Sequence, residues 1–180
     1  ETPSLLGLMG GFSHTDGLGL PKRSSQRPIY LIDLNVLFDT IRNRPRALSA
    51  AKIIRAALSN SIRLMVAAEF TAELRRTSND IGNDPVLAFA SQLDSLSRPP
   101  DRTVISLSDT LSRVIFPDRA GKGRLSDRDN SDLVHIATAI HHGAAGFITS
   151  EKAILQAGGY LHAHYGIDVV GVEAFARIVD

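Results

Sequence analysis

From residue 29 onwards, short apolar runs alternate with longer stretches in which apolar residues recur every three or four positions. The short runs are rich in Ile, Val, Leu and Phe, which is typical of strands that are buried on both faces. The longer stretches have the spacing of amphipathic helices. Repeated alternation of strands and helices predicts an α/β fold, with a parallel sheet and helices on both of its faces.

Five strands and seven helices are predicted on this basis. The clearest helix begins at residue 127 and ends on Gly143, a residue type that commonly stops helices. The predicted strands are 29–33, 62–66, 103–107, 146–149 and 168–171. The predicted helices are 45–60, 68–77, 84–96, 108–116, 127–143, 150–166 and 172–179.

Residues 1–28 have neither pattern and are rich in Gly, Ser and Pro. We interpret them as a flexible N-terminal arm or linker, and residues 29–180 as one folded domain. The length of 180 residues and the hydrophobic fraction of 43% agree with a single hydrophobic core.

Composition narrows the classes of function. The chain has no Cys, which excludes disulfides and thiolate metal sites, so a metal ion would need oxygen or imidazole ligands. No apolar run approaches the ~20 residues that span a bilayer, and residues 1–20 lack the features of a signal peptide. We therefore expect a cytoplasmic protein without a membrane partner. The net charge of +1 says little about other partners.

Four acidic residues follow predicted strands or begin a helix next to one. Asp33 ends the first strand, Glu69 follows the second, and Glu151 follows the fourth. The carboxyl ends of parallel strands meet at one edge of a sheet, so we expect these side chains to gather there. Asp132 joins them if its helix begins at that edge. Grouped carboxylates repel each other unless a divalent cation neutralises them, and oxygen ligands favour Mg²⁺ or Mn²⁺.

Polar residues next to these acids are candidates for holding the carboxylates, or a water beside them, by hydrogen bonds. Asn35 lies two positions after Asp33, on the same side of an extended chain, where its amide would hold Asp33 or a water. Asp129 is a candidate supporting acid in the first turn of a helix that Ser126 or Asp127 would cap. The hydroxyl groups beside Glu151 are those of Thr149 and Ser150.

The segments YLIDLNVLFD, AAEFTAEL, SDLVHIATAIHHGAAGFITSEKAI and IDVVGVEAF occur in this order, and with them the chain resembles a PIN domain over residues 29–180. The resemblance implies a Rossmann-like three-layer sandwich with about five parallel strands, and a ribonuclease site that depends on Mg²⁺ or Mn²⁺. Asp33, Glu69 and Asp132 match the first three acids of the family. Glu151 stands at the fourth position, usually an Asp in a Thr-x-Asp setting, and we expect it to contact metal through a water.

The resemblance also implies partners. Many small PIN proteins of prokaryotes are VapC-type toxins, each blocked by an antitoxin and often dimeric. We therefore expect an RNA substrate, an antitoxin and a homodimer.

Basic residues in two places are candidates for binding the RNA backbone, although solvated surface positions are at least as common for such residues. One pair lies on the helix that follows the second strand. The other group lies in a Gly-containing loop ahead of the long helix. The candidates are Arg75, Arg76, Arg119, Lys122 and Arg124.

Other interpretations remain open. Glu69 and Glu151 are also explained as acids favoured by helix dipoles in first turns. A non-catalytic PIN-like domain would bind RNA or regulate without cleaving. A phosphatase of the haloacid dehalogenase type needs an Asp-x-Asp motif at the end of the first strand, but the second Asp is replaced by Asn35 in this chain. A receiver domain needs two adjacent acids after that strand, but Leu34 stands next to Asp33.

The histidines do not form a recognisable zinc motif, since none belongs to a His-Glu-x-x-His pattern. We interpret the pair His141 and His142, and the pair His162 and His164, as solvated side chains or as cations near helix C-termini. His135, on the long predicted helix, also lies outside any such motif.

Overall fold

The protein contains a five-stranded, all-parallel sheet between two layers of helices. A computed structural model of the protein describes residues 27–41, 44–59, 61–77, 87 and 90–179. The strands are β1 (Ile29–Ile32), β2 (Arg63–Ala67), β3 (Asp94–Leu96), β4 (Gly146–Thr149) and β5 (Asp168–Gly171). Their order across the sheet is β3-β2-β1-β4-β5, so β1 is the central strand. The predicted arm, 1–28, falls almost entirely outside the described residues.

The helices of the described ranges cover both faces of this sheet. They are α1 (Leu34–Ile41), α2 (Ala47–Leu58), α3 (Ala68–Thr77), α4 (Asp101–Ile115), α5 (Pro117–Ala120), α6 (Asp127–His141), α7 (Lys152–Gln156), α8 (Gly158–Tyr165) and α9 (Val172–Ile178). Within these ranges no helix is long and apolar enough to cross a membrane.

Successive residues of the central strands point to opposite faces, and this divides the core in two. Ile32 and Ile148 pack in a cluster with residues of α1, α2, α3 and α9. Leu31 and Phe147 pack in a second cluster with residues of α4, α6, α7 and α8. The strands read as continuous apolar runs because both of their faces are buried. The three-layer α/β architecture predicted from the sequence is thus confirmed.

The prediction of a strand at 103–107 is wrong, because these residues lie inside α4. Val104, Leu111 and Ile115 are buried on one face of that helix, with helical spacing. The third strand is β3, within the segment that was predicted to be a helix at 84–96. This short edge strand is mostly exposed, so it carries little of the apolar signal by which strands are recognised.

A helix that the pattern did not predict begins directly after Asp33. Leu34, Val36 and Leu37 of α1 are all buried, so strand and helix form one apolar run without a visible boundary. Asn35 therefore lies in the first turn of a helix, not on an extended chain as expected. The predicted helix 150–166 is also divided, into α7 and α8.

Candidate functional site

Asp33 occupies the centre of the C-terminal edge of the sheet. It lies between β1 and α1, its side chain is buried, and its backbone N–H donates to the Ile148 carbonyl at 3.0 Å. The Thr149 hydroxyl donates to Asp33 Oδ2 at 2.7 Å. The backbone N–H and side-chain amide of Asn35 donate to the same carboxylate, each at 3.4 Å. All the groups that donate to the Asp33 carboxylate are uncharged, so none of them compensates a negative charge there.

Asp132 lies near Asp33, on the first half of α6, and is 7% exposed. Burial raises the pKa of the Asp132 carboxyl to about 7, and the negative charge of Asp33 acts in the same direction. His135 and Arg128 lower this pKa, and Glu73 raises it further. Two buried carboxylates thus repel each other at the sheet edge, and nearby cations compensate only in part.

Asp129 anchors the helix that carries Asp132. Its backbone N–H donates to the Ser126 hydroxyl at 3.1 Å, and its carboxylate accepts from the Ser126 backbone N–H at 2.9 Å. This is a capping box, which satisfies otherwise unpaired N–H groups at the start of α6. Arg119 also pairs with Asp129, and its guanidinium lies 5.0 Å from the centre of the Phe116 ring. Asp129 and Arg119 therefore fix the position of α6.

Glu69, in the first turn of α3, is held by two arginines. Arg76 Nη2 lies 2.7 Å from Glu69 Oε1, and Arg98 Nη1 lies 3.2 Å from Glu69 Oε2. The Ser131 hydroxyl donates to Glu69 at 3.3 Å. These side chains, with Asp127, Asn130 and Val134, line a surface cavity of about 330 Å³.

Glu73 was not considered from the sequence, but the structure places it against His135, which lies one helical turn after Asp132 on α6. Its Oε2 lies 3.3 Å from His135 Nε2, and its charge is among the causes that raise the pKa of Asp132. The two glutamates in AAEFTAEL are four positions apart and therefore share one face of α3. That spacing was a signal that would have identified Glu73.

Glu151 immediately precedes α7, and its side chain forms an ion pair with an arginine. Its backbone N–H donates to the Thr149 hydroxyl at 3.0 Å, and its carboxylate oxygen Oε2 lies 3.3 Å from Arg128 Nη2. Ser150 lies between Thr149 and Glu151 and is partly buried. Among the residues that the structure describes, no side-chain hydrogen bond of Ser150 is found.

The predicted RNA-binding residues separate into different environments. Arg76 lines the cavity beside Glu69, whereas Arg119 is used to anchor α6. Arg98 and Arg128 were not predicted from the sequence, because they lie outside the predicted basic loop and contact acids only through the tertiary structure. The remaining basic residues that were predicted to bind RNA are exposed. They are Arg75, Lys122 and Arg124.

The donor set at the sheet edge suits a hard cation. Asp33 and Asp132 offer buried carboxylate oxygens, and their mutual repulsion is what a divalent ion would relieve. Within the described ranges, no three His, Asp or Glu side chains form a cluster that could hold a metal ion. Glu69 and Glu151 are engaged by arginines instead. The fit therefore rests on the Asp33–Asp132 pair.

Comparison with known proteins identifies the family. No curated protein matches the chain. A crystal structure of VapBC2 from Rickettsia felis, bound to a DNA fragment from their promoter, contains a chain that is similar in fold. The match has a TM-score of 0.52 and 17% identity, and it covers 79% of this chain and 98% of that chain. The family model described as "PIN domain" matches residues 30–153, which include all four acids predicted from the sequence. The chain therefore belongs to the PIN domain family.

Proposed function

We propose that this protein is a metal-dependent endoribonuclease that hydrolyses phosphodiester bonds in RNA with Mg²⁺ or Mn²⁺. The observation that carries the proposal is the buried pair of Asp33 and Asp132, whose charges repel each other at the sheet edge. Such a pair costs stability unless a cation joins it. Membership of the PIN family supports the same conclusion.

Asp33 and Asp132 are the proposed ligands of the ion. Thr149 and Asn35 keep the Asp33 carboxylate in one orientation by donating hydrogen bonds to it. When bound, a divalent ion supplies a water that is more acidic than bulk water, and it neutralises charge on the phosphate. As ligands of the ion, Asp33 and Asp132 would fix its position at the sheet edge and help to orient that water.

The second acid of the family matches Glu69 by sequence, and in this chain Glu73 on the same helix also contributes to the charge of the site. Glu73 acts on the charge of Asp132, whereas the Glu69 carboxylate is bound by Arg76 and Arg98. We propose that Glu73 adds negative charge to the surroundings of the Asp33–Asp132 pair, and that Glu69 holds the two arginines at the cavity.

The cavity beside Glu69 is the proposed contact for the RNA backbone. Arg76 and Arg98 come from α3 and from the segment before α4, and both reach the same carboxylate. Guanidinium groups form strong, directional hydrogen bonds with phosphate oxygens. Three exposed basic side chains extend the candidate RNA-binding surface beyond the cavity. They are Arg75, Lys122 and Arg124.

We further propose that the protein is a cytoplasmic toxin that is paired with an antitoxin and forms a homodimer. The similar fold of a chain in a VapBC2 structure supports the toxin assignment and the antitoxin partner. The second candidate is a PIN-like domain that binds RNA without cleaving it. The arginines that hold Glu69 and Glu151 favour this alternative, since they compete with a metal ion for those acids.

The deciding experiment measures cleavage of a pool of single-stranded and structured RNA with Mg²⁺, with Mn²⁺ and with EDTA. The protein is compared with its Asp33→Asn variant. Asp109→Asn is the matched control, because Asp109 is exposed and pairs with Arg113 on α4. We expect cleavage that requires metal, is lost in Asp33→Asn and persists in Asp109→Asn. Equal cleavage by the parent and Asp33→Asn would falsify the proposal, and RNA binding without cleavage would support the second candidate.

A further inference from the structure

We propose that Arg44 and Arg46 form a second contact for the RNA backbone, on the opposite side of Asp33 from the cavity at Glu69. The inference rests on the proposed function, because its ligand is the RNA that the protein is proposed to cleave. It extends the binding surface from the β2 side of the sheet edge to the β5 side, so that the RNA strand would pass over Asp33 between two sets of arginines.

The segment between α1 and α2 is strongly basic. Residues 42–46 read RNRPR, with three arginines in five positions and no acid. Arg44 and Arg46 belong to the described part of the chain, whereas residue 42 lies outside it. The net charge of the chain is only +1, but a local cluster of arginines still attracts phosphate groups. The tertiary contacts of Arg44 and Arg46 decide whether their charge is available to a ligand.

Both arginines are held by a buried acid. Asp39 on α1 has a side chain that is 4% exposed, and it lies 4.0 Å from Arg44 Nη1 and 3.5 Å from Arg46 Nη1. These separations exceed the usual length of an N–H···O hydrogen bond, and within the described residues Asp39 Oδ2 accepts no hydrogen bond. Asp39 therefore holds the guanidinium groups by charge, and its contacts do not use up the N–H donors of either arginine.

Arg44 is also held by an aromatic ring. Its guanidinium carbon lies 5.5 Å from the centre of the Phe38 ring, which is within the range of a cation–π interaction. Because Phe38 and Asp39 both restrict this side chain, Arg44 loses less conformational freedom when it binds a phosphate group.

The contact of Arg46 with Glu173 places these arginines at the edge of the sheet that carries the site. Arg46 Nε donates to Glu173 Oε1 at 3.0 Å, and Glu173 lies in the first turn of α9, directly after β5. All five strands are parallel, so the carboxyl end of β5 lies at the same edge as Asp33. In the sheet, β2 and β5 lie on opposite sides of β1, and Glu69 follows β2. The two sets of arginines therefore flank Asp33.

The two sets are built alike. In each, one largely buried acid holds two arginines that are partly exposed. The acid is Glu69 in the first set, with a side chain that is 10% exposed, and Asp39 in the second. Three inter-strand spacings, about 14 Å in total, separate β2 from β5. An RNA strand of several nucleotides would therefore contact both sets.

Glu173 is the group that a phosphate would replace. Its side chain is 57% exposed, and an ion pair at such a position contributes little to stability. A phosphate group is also negatively charged, and it forms bidentate hydrogen bonds with a guanidinium. RNA therefore displaces Glu173 from Arg46, and removal of the Glu173 charge makes that displacement unnecessary.

The test is the binding of a fluorescently labelled single-stranded RNA, about 12 nucleotides long, to the full-length chain. Fluorescence anisotropy measures Kd at several salt concentrations in EDTA, which prevents metal-dependent cleavage. The triple variant combines Asp39→Asn, Arg44→Gln and Arg46→Gln, so that no buried charge is left uncompensated. Arg113→Gln is the matched control on α4. Both variants lower the formal charge by one, since the triple variant removes two positive charges and one negative charge.

We expect the triple variant to bind RNA several-fold more weakly than the parent. The slope of log Kd against log salt concentration should fall by about 1.4, which is about 0.7 for each of two phosphate contacts in a single strand. Glu173→Gln is expected to bind RNA more tightly than the parent, since it frees Arg46. Arg113→Gln should keep the affinity and the slope of the parent. Circular dichroism checks that each variant is folded.

Two results would overturn this inference and leave the nuclease intact where the parent cleaves RNA. One is an unchanged affinity in the folded triple variant, and the other is an equal loss of affinity in Arg113→Gln. If the triple variant does not fold, Glu173→Gln decides, and RNA binding that is unchanged or weaker in it would overturn the inference. Binding of polyglutamate that needs Arg44 and Arg46, when RNA binding does not, would assign the surface to an acidic protein partner instead.

The remaining outcomes separate this inference from the proposed function. RNA binding that depends on Arg44 and Arg46, without cleavage in Mg²⁺ or Mn²⁺, would support the contact and reject the nuclease. If the folded parent neither binds nor cleaves RNA, the proposed function fails, and this inference fails with it.

Discussion

The Thr149 hydroxyl donates a hydrogen bond of 2.7 Å to Asp33 Oδ2, and both side chains are almost fully buried. The two residues belong to the ends of adjacent parallel strands, 116 positions apart in the chain. Thr149 thus fixes the orientation of the proposed metal ligand without neutralising it.

Thr149→Val is expected to lower cleavage about 10- to 100-fold, which is the usual effect of removing a group that orients a metal ligand. Valine keeps the shape of threonine but loses its hydroxyl, so Asp33 is held less firmly. Thr138→Val is the control, because it removes a buried hydroxyl that donates within α6, to the Val134 carbonyl at 2.8 Å. Steady-state cleavage rates check this prediction, and equal losses in both variants would contradict the role of Thr149.

Glu73→Gln and Glu69→Gln are expected to have different effects. Glu73→Gln should weaken Mn²⁺ binding, since the charge of Glu73 adds to the negative potential around Asp132. Glu69→Gln should raise KM for RNA and leave Mn²⁺ affinity nearly unchanged, because Glu69 holds Arg76 and Arg98. Calorimetry with Mn²⁺ and the KM for RNA distinguish the two variants. The reverse pattern would assign the metal to Glu69, as the sequence resemblance implies.

Stability in the absence of metal is expected to fall as the pH rises from about 4 to about 7. The pKa of Asp132 is raised from 3.8 to about 7 in the folded protein, so the folded state binds more protons than the unfolded state over this interval. By linkage, the free energy of unfolding then decreases with pH, by at most about 4 kcal/mol at 1.36 kcal/mol per pKa unit. Urea unfolding at pH 5 and pH 8 measures the change.

Asp132→Asn is the control for this pH dependence, because it removes the titrating carboxyl. The variant is expected to be more stable than the parent at pH 8, and its stability should depend less on pH. Excess Mg²⁺ should stabilise the parent at pH 8 more than it stabilises the variant. A parent and a variant with the same pH dependence would show that Asp132 does not titrate in this interval.

Arg98→Gln is expected to raise KM for RNA several-fold, since one of the two guanidinium groups at the cavity is lost. Mn²⁺ affinity should not change, because Arg98 contacts the Glu69 carboxylate and not Asp33 or Asp132. Arg113→Gln serves as the comparison, since it removes an equal charge from the outer surface of α4. An unchanged KM in Arg98→Gln would exclude the cavity as an RNA contact.

The sequence by itself determined the α/β class, four of the five strands and the presence of Asp33 at the end of the first. Strands such as β4 and β5 were located correctly, at 146–149 and 168–171, because buried parallel strands are continuous apolar runs. The helix α3 was also predicted with its observed bounds, 68–77. In these segments local pattern and tertiary environment agree, so the pattern alone is sufficient.

The tertiary structure decided which side chains share the site. The pairing of Glu69 with Arg98, of Glu151 with Arg128, and the proximity of Glu73 to His135 each join residues from different elements. Nothing in the local pattern encodes these contacts. They follow from the tertiary packing that brings α3, α6 and the segments after β3 and β4 together. The sequence could therefore name the candidate acids, whereas only the fold determines which are close to one another and which are held by arginines.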